Sequence, residues 1–118
     1  MLCSCKDYCT SNDYFNELKK IGKNLKVKKE YKELSIFAAA IASKERLIIL
    51  NSLKEKDRCV CELEVVLDKS QSTISHHLRK LERAGLIISW KKGSYTYYSL
   101  VRESLKKYLT ILNDELTL

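Results

Sequence analysis

One seventeen-residue stretch, SQSTISHHLRKLERAGL from Ser70 to Leu86, constrains the fold more than any other part of the chain. Ser70 carries a hydroxyl where a helix start leaves backbone N–H groups without partners. Ile74, Leu78 and Leu81 recur at i, i+4 and i+7 and define one inward stripe. Gly85 stands where a chain leaving a helix turns left-handed. At about 100° per residue, the opposite face carries Ser72, His76, Arg79 and Arg83. Ser75 lies on one flank of that face, Thr73 and Lys80 lie on the other, and Gln71 opens it. Such a helix docks its apolar stripe on other helices. It presents small hydroxyls, then basic groups, to a partner.

The flanking segments show what surrounds it. Leu63, Val66 and Leu67 mark a short helix before it, with Asp68-Lys69 as a turn. Leu86 to Trp90 and Tyr95 to Leu100 are β-prone runs separated by Lys91-Lys92-Gly93-Ser94, which predicts a β-hairpin with a basic tip. Upstream, Leu34 to Ile41 reads as a buried helix. Ser43 is placed to cap the next helix, whose apolar residues are Leu47, Ile48, Leu50 and Leu53, and the charged run Lys54 to Arg58 is expected to be a loop. A last helix carries Leu105, Tyr108, Leu109, Leu112 and Leu116 on one stripe. The expected fold is mainly α with one hairpin (α+β), a winged helix-turn-helix in a single domain over residues 1–118. Residues 1–10 form a cysteine-bearing arm. Residues 11–30 form a lysine-rich helix or linker with apolar positions at Tyr14, Leu18, Ile21 and Leu25.

A chain of 118 residues fits one domain. At that length burial is modest, so a partner chain would add to its stability. Lys and Arg number 22 against 15 Asp and Glu, a net charge of +7, which favours a polyanion such as nucleic acid. The polar start MLCSCKDYC lacks the apolar core of a signal peptide, and the longest apolar run, Ile36 to Ala42, is far short of a bilayer span. The expected compartment is the cytoplasm, where thiols stay reduced. Five cysteines there point to ligands or redox groups rather than structural disulfides.

The outward face and the hairpin tip divide the work of binding DNA. Small residues let the helix enter the major groove. Gln71, Ser72, Thr73, Ser75 and His76 are placed to reach base edges or nearby phosphates. Arg79, Lys80, Lys91 and Lys92 supply phosphate affinity. His76 and His77 look like a metal pair, but adjacent helical residues diverge by about 100° and chelate poorly. His77 lies beside the inward stripe and reads as a packed histidine.

The thiols raise a separate question. Thiolates are soft ligands suited to Zn, Cd and Pb. Cys59 and Cys61 are spaced i, i+2, about 200° apart on a regular helix. They can share one ion only if Cys59 precedes the helix or the first turn unwinds. The arm provides Cys3, Cys5 and Cys9. Cys5 and Cys9 align on one helical turn and with Cys59 and Cys61 would complete four sulfurs, leaving Cys3 in excess.

The run Ser43 to Leu100, SKERLIILNSL…CVCELEVVLDKSQSTISHHLRKLERAGLIISWKKGSYTYYSL, resembles the ArsR/SmtB family of metal-responsive transcriptional repressors. The resemblance implies a prokaryotic homodimer joined through its N- and C-terminal helices. Such a dimer binds double-stranded operator DNA and leaves it when an inducer binds. It implies that C-V-C-[DE]-L is the inducer-binding box. In the arsenic-responsive branch a third cysteine follows the leucine, where this chain has Glu64. In the cadmium- and lead-responsive branch two arm cysteines with three residues between them join the box, and Cys5-Lys-Asp-Tyr-Cys9 has that spacing. The inducer implied is a thiophilic ion: Cd, Pb, Zn, As(III) or Sb(III). Another family site binds zinc on the last helix. Here Arg102 and Ser104 stand at its usual Asp and His positions, so that helix is expected to serve dimerisation.

Two rival readings keep parts of this account. Cysteine oxidation could replace the ion as the signal, or the protein could handle metal without binding specific DNA. An enzyme is not expected, since there is no phosphate-cradling glycine loop and both histidines lie on the recognition helix. Neither a membrane nor a small organic substrate is an expected partner.

Overall fold

The computed structural model describes residues 12–118. Cys3, Cys5 and Cys9 lie outside the described residues. The elements run α1 (Asn12–Lys26), α2 (Lys29–Ile41), α3 (Lys44–Glu55), β1 (Arg58–Cys59), α4 (Val60–Leu67), α5 (Gln71–Arg83), β2 (Ile87–Lys92), β3 (Tyr95–Leu100) and α6 (Arg102–Leu116). The chain divides into two compact units after Lys32.

In the first unit, α1 places Asp13 in its first turn and Lys23 and Lys26 in its last, the arrangement that complements the helix dipole. Phe15, Leu18, Ile21 and Leu25 form an exposed apolar stripe. Lys19 Nζ sits 4.8 Å above the Phe15 ring one turn away.

The second unit holds the winged helix. Its core is built from Phe37 and Ala40 of α2, Ile49, Leu50 and Leu53 of α3, Leu63 of α4, and Ile74, Leu78 and Leu81 of α5, closed by Ala84, Leu86 and Ile87. The α5 stripe is therefore where the 3.6-residue period places it. Ser43 and Ser70 both cap: their hydroxyls accept the N–H of Arg46 and Thr73, each at 3.3 Å. Gly85 adopts φ +73° and ends α5 after Ala84, a backbone that side-chain-bearing residues rarely take.

Two expectations need correction. In α3, Ile49 is fully buried, while Leu47 and Ile48 are exposed. The run Leu-Ile-Ile-Leu is apolar at every position, so periodicity could not choose its inward face. Lys54 to Arg58 is not a loop throughout: α3 continues to Glu55, and Arg58–Cys59 form a strand. That strand pairs antiparallel with β3, Arg58 opposite Tyr98 and Cys59 opposite Tyr97, making a three-stranded sheet in the order β1-β3-β2. Two residues are too few to show alternation in sequence, and the pairing imposes their extended form. On α6, the stripe divides. Leu105 and Tyr108 pack against the chain's own core, Tyr108 stacking on Phe37 at 4.7 Å and donating its hydroxyl to Ala84 O at 3.0 Å. Leu109, Leu112 and Leu116 remain exposed.

Candidate thiol site and nucleic-acid interface

Cys59 ends β1 and serves as the N-cap of α4, with φ −85° and ψ 165°. It thus precedes the helix, which meets the geometric condition for sharing an ion with Cys61. Its backbone N–H donates to Glu62 Oε1 at 3.0 Å, and the Cys59 sulfur faces the Glu62 N–H in return. This is a capping box with a thiol in the place of the usual serine or threonine. Glu62 is also 3.8 Å from the Arg58 guanidinium. The backbone N–H of Cys59 is the first cause holding the Glu62 carboxyl below its usual range.

The two thiols differ in surroundings. Cys59 is buried and Cys61 exposed. Burial pushes the Cys59 thiol up, and its hydrogen-bond contact with Cys61 adds to that. The proton on Cys59 must therefore leave before the sulfur can act as a ligand. Among the described residues, no group of three His, Cys, Asp or Glu side chains stands where it could hold a metal ion. Cys59 and Cys61 are two sulfurs of a site that needs more.

Both cysteines line a cleft of about 280 Å³. Glu64 lies on the same wall, one turn beyond Cys61. The cleft is also lined by Gln71, the first residue of α5, by Ser94 of the turn between β2 and β3, and by Tyr95 and Thr96 at the start of β3. The thiol box thus borders both elements that would meet DNA.

On α5, Gln71, Ser72, His76, Arg79 and Lys80 are exposed, and Thr73 and Ser75 are half-buried. The Ser70 hydroxyl contacts Ser72 Oγ at 3.1 Å and Thr73 Oγ1 at 3.0 Å, which clusters three hydroxyls at the helix start. Lys91 and Lys92 are exposed at the end of β2, beside Gly93 with φ +63°. His77 is packed: its Nδ1 lies 3.1 Å from Arg46 Nη1. Arg46 is itself buried and donates to Ala40 O at 2.6 Å and Ala39 O at 3.2 Å. Burial, then the Arg46 charge, holds the His77 imidazole below its ordinary range.

Sequence reasoning passed over Arg46 and Glu62. Arg46 leaves no signal in a pattern of apolar positions. Glu62 does: it stands three residues after the cap, the spacing of a capping box.

This arrangement has counterparts among known proteins. The profile of the bacterial regulatory proteins of the arsR family matches residues 43–89. An uncharacterized HTH-type transcriptional regulator of Methanocaldococcus jannaschii is 33% identical over 86 residues, covering 72% of this chain and 97% of that protein. The chain belongs to the ArsR family. The family match begins at the Ser43 cap and contains the thiol box and all of α5. A second relative, the cadmium resistance transcriptional regulatory protein CadC of Listeria innocua, is 31% identical over 110 residues, 92% of this chain and 84% of its own length. The solved structure of HlyU from Vibrio cholerae superposes with a TM-score of 0.64 at 30% identity, covering 76% of this chain and 98% of that one. The Methanocaldococcus and Listeria relatives are transcriptional regulators rather than enzymes. No helix among the described residues is long and apolar enough to cross a membrane.

Proposed function

We propose that this ArsR-family protein is a cytoplasmic, dimeric transcriptional repressor. It binds operator DNA when metal-free and is released by a thiophilic ion held by cysteine thiolates. The observation that carries the reading is the position of Cys59. As the N-cap of α4 it stands before the helix rather than on its far side, and with Cys61 it lines a cleft shared with Gln71 and the wing turn. Cys5 and Cys9 of the arm supply the remaining sulfurs, with Cys3 as a spare. Four thiolates suit a thiophilic divalent ion such as Cd, Pb or Zn, and the likeness to a cadmium resistance regulator favours Cd. Arsenite or antimonite would require an arm thiol as third ligand, because Glu64 fills the next position of the box.

DNA binding rests on two surfaces. Gln71, Ser72, Thr73, Ser75 and His76 read bases from the major groove, and Arg79, Lys80, Lys91 and Lys92 neutralise phosphates. Leu109, Leu112 and Leu116, exposed on α6, extend the dimer contact beyond what Leu105 and Tyr108 bury within the subunit. A symmetric dimer would place its recognition helices one DNA turn apart, or a multiple of it.

The test of the site is a titration of the reduced protein with Cd(II), following thiolate-to-metal absorption. Wild type should saturate. Cys59→Ser with Cys61→Ser should abolish the signal, and Cys5→Ser with Cys9→Ser should weaken it. A full-strength signal in the first double variant would refute the box as the sensor. The presence of two free thiols, Cys59 and Cys61, in one cleft also favours a second reading, in which a peroxide oxidises the two thiols to a disulfide. DNA release by peroxide in metal-free buffer, reversed by a thiol reductant, distinguishes it.

A further inference from the structure

Resting on the reading above, the geometry points to Trp90 as the positioning residue that carries the state of the thiol box to the DNA-binding wing. Three observations converge on it. Trp90 lies opposite Tyr97 across β2 and β3, and Tyr97 lies opposite Cys59 across β1 and β3. Cys59, Tyr97 and Trp90 thus form one row across the sheet, with the Trp90 and Tyr97 rings stacked at 4.8 Å and 17°. The indole Nε1 of Trp90 donates to Asp57 Oδ2 and to Ser99 Oγ, both at 2.9 Å. Asp57 lies two residues before Cys59, and Trp90 immediately precedes Lys91 and Lys92. One side chain therefore ties the approach to the inducer ligand to the start of the wing tip.

The row is suited to give way at one place. Strand β1 pairs with β3 at two positions, against six between β2 and β3, so it is the shorter pairing in the sheet. Cys59, if it shifted to hold an ion with further sulfurs, would pull on β1 and on Asp57. Without Trp90 that displacement has only the short backbone pairing of β1 with β3 to carry it. With it, the displacement reaches β2 through the Asp57 bond and the Tyr97 stack, and alters where Lys91 and Lys92 meet phosphate. Cross-strand aromatic pairs and side-chain hydrogen bonds have the strength such a link requires. Coupling through one such link is expected to change the ligand effect by roughly 2- to 30-fold.

The experiment uses the reduced full chain and Cd(II) as probe, with three readouts: thiolate-to-metal absorption, metal-free DNA affinity, and the ratio of DNA affinities without and with Cd(II). In Trp90→Phe, which keeps a ring over Tyr97 but donates no bond, and in Asp57→Ala, the first two should stay within about twofold of wild type. The ratio should fall by roughly 2- to 30-fold. Asp57→Asn, which retains an acceptor oxygen, should keep the wild-type ratio. An unchanged ratio in both Trp90→Phe and Asp57→Ala overturns the assignment. So does a collapse of metal-free DNA affinity in both, which would make Trp90 a structural residue of the wing. A wild-type ratio near one would instead sink the underlying metal reading, and the coupling with it.

Discussion

Arg46 Nη1 stands 3.1 Å from His77 Nδ1, and this contact ties α3, the end of α2 and the recognition helix into one joint. The same guanidinium holds the carbonyls of Ala39 and Ala40, two of the acceptors that a helix C-terminus leaves without partners. Burial and the neighbouring positive charge hold the His77 imidazole below its ordinary range.

The His77 environment gives stability a pH dependence of known sign. The imidazole is depressed in the fold and ordinary in the unfolded chain, so the unfolded state binds more protons as pH falls through the usual histidine range. Stability is then complete above that range and declines below it, down to the depressed folded value. Thermal melts of His77→Gln should decline less steeply between about pH 7 and pH 5 than those of wild type. Melts of wild type and variant that fall in parallel would contradict this.

Arg46→Ala removes a buried group making three hydrogen bonds and leaves two carbonyls without those donors. The expected loss is about 3 kcal/mol, read by urea unfolding. Arg46→Lys should recover only part of it, since an ammonium cannot reproduce the planar fork.

Tyr108→Phe keeps the stack on Phe37 and removes the hydroxyl bond to Ala84 O. It should cost about 1 kcal/mol of stability and leave the dimer dissociation constant unchanged. Leu112→Asp should do the reverse, weakening the dimer in sedimentation runs while the subunit stays folded.

The recognition helix was legible because its cap, its stripe and Gly85 are each local and agree with one another. The wing was legible for the same reason, as two β-prone runs around a glycine turn. Strand β1 was not, because its conformation comes from Tyr97 and Tyr98, about forty residues away in sequence. The spacing of Cys59 and Cys61 posed the right question without its answer: whether Cys59 lies inside or outside the helix is decided by that long-range pairing. The joint between Arg46 and His77 was hidden because a buried arginine looks like any other charge until its partners are known. The division of the α6 stripe was hidden too, since Tyr108 and Leu112 differ in what they face rather than in period.

At the wing tip, Lys91→Gln and Lys92→Gln should weaken binding to all DNA sequences alike. Each should lower the slope of log affinity against log salt by about one. Ser72→Ala and His76→Ala should alter base preference at fixed salt slope. A change of base preference in the lysine variants, with overall affinity retained, would contradict the division between phosphate and base contacts.

The central claim is that ion capture by Cys59 and Cys61 releases DNA. It is tested most directly by fluorescence anisotropy on the DNA fragment upstream of the protein's own gene, with reduced protein and Cd(II), Pb(II), Zn(II), arsenite and antimonite added in turn. The account predicts release of wild type, strongest with Cd(II) or Pb(II), and a Cys59→Ser, Cys61→Ser variant that stays bound throughout. Equal release of wild type and variant, or no release of wild type by any ion, would contradict it.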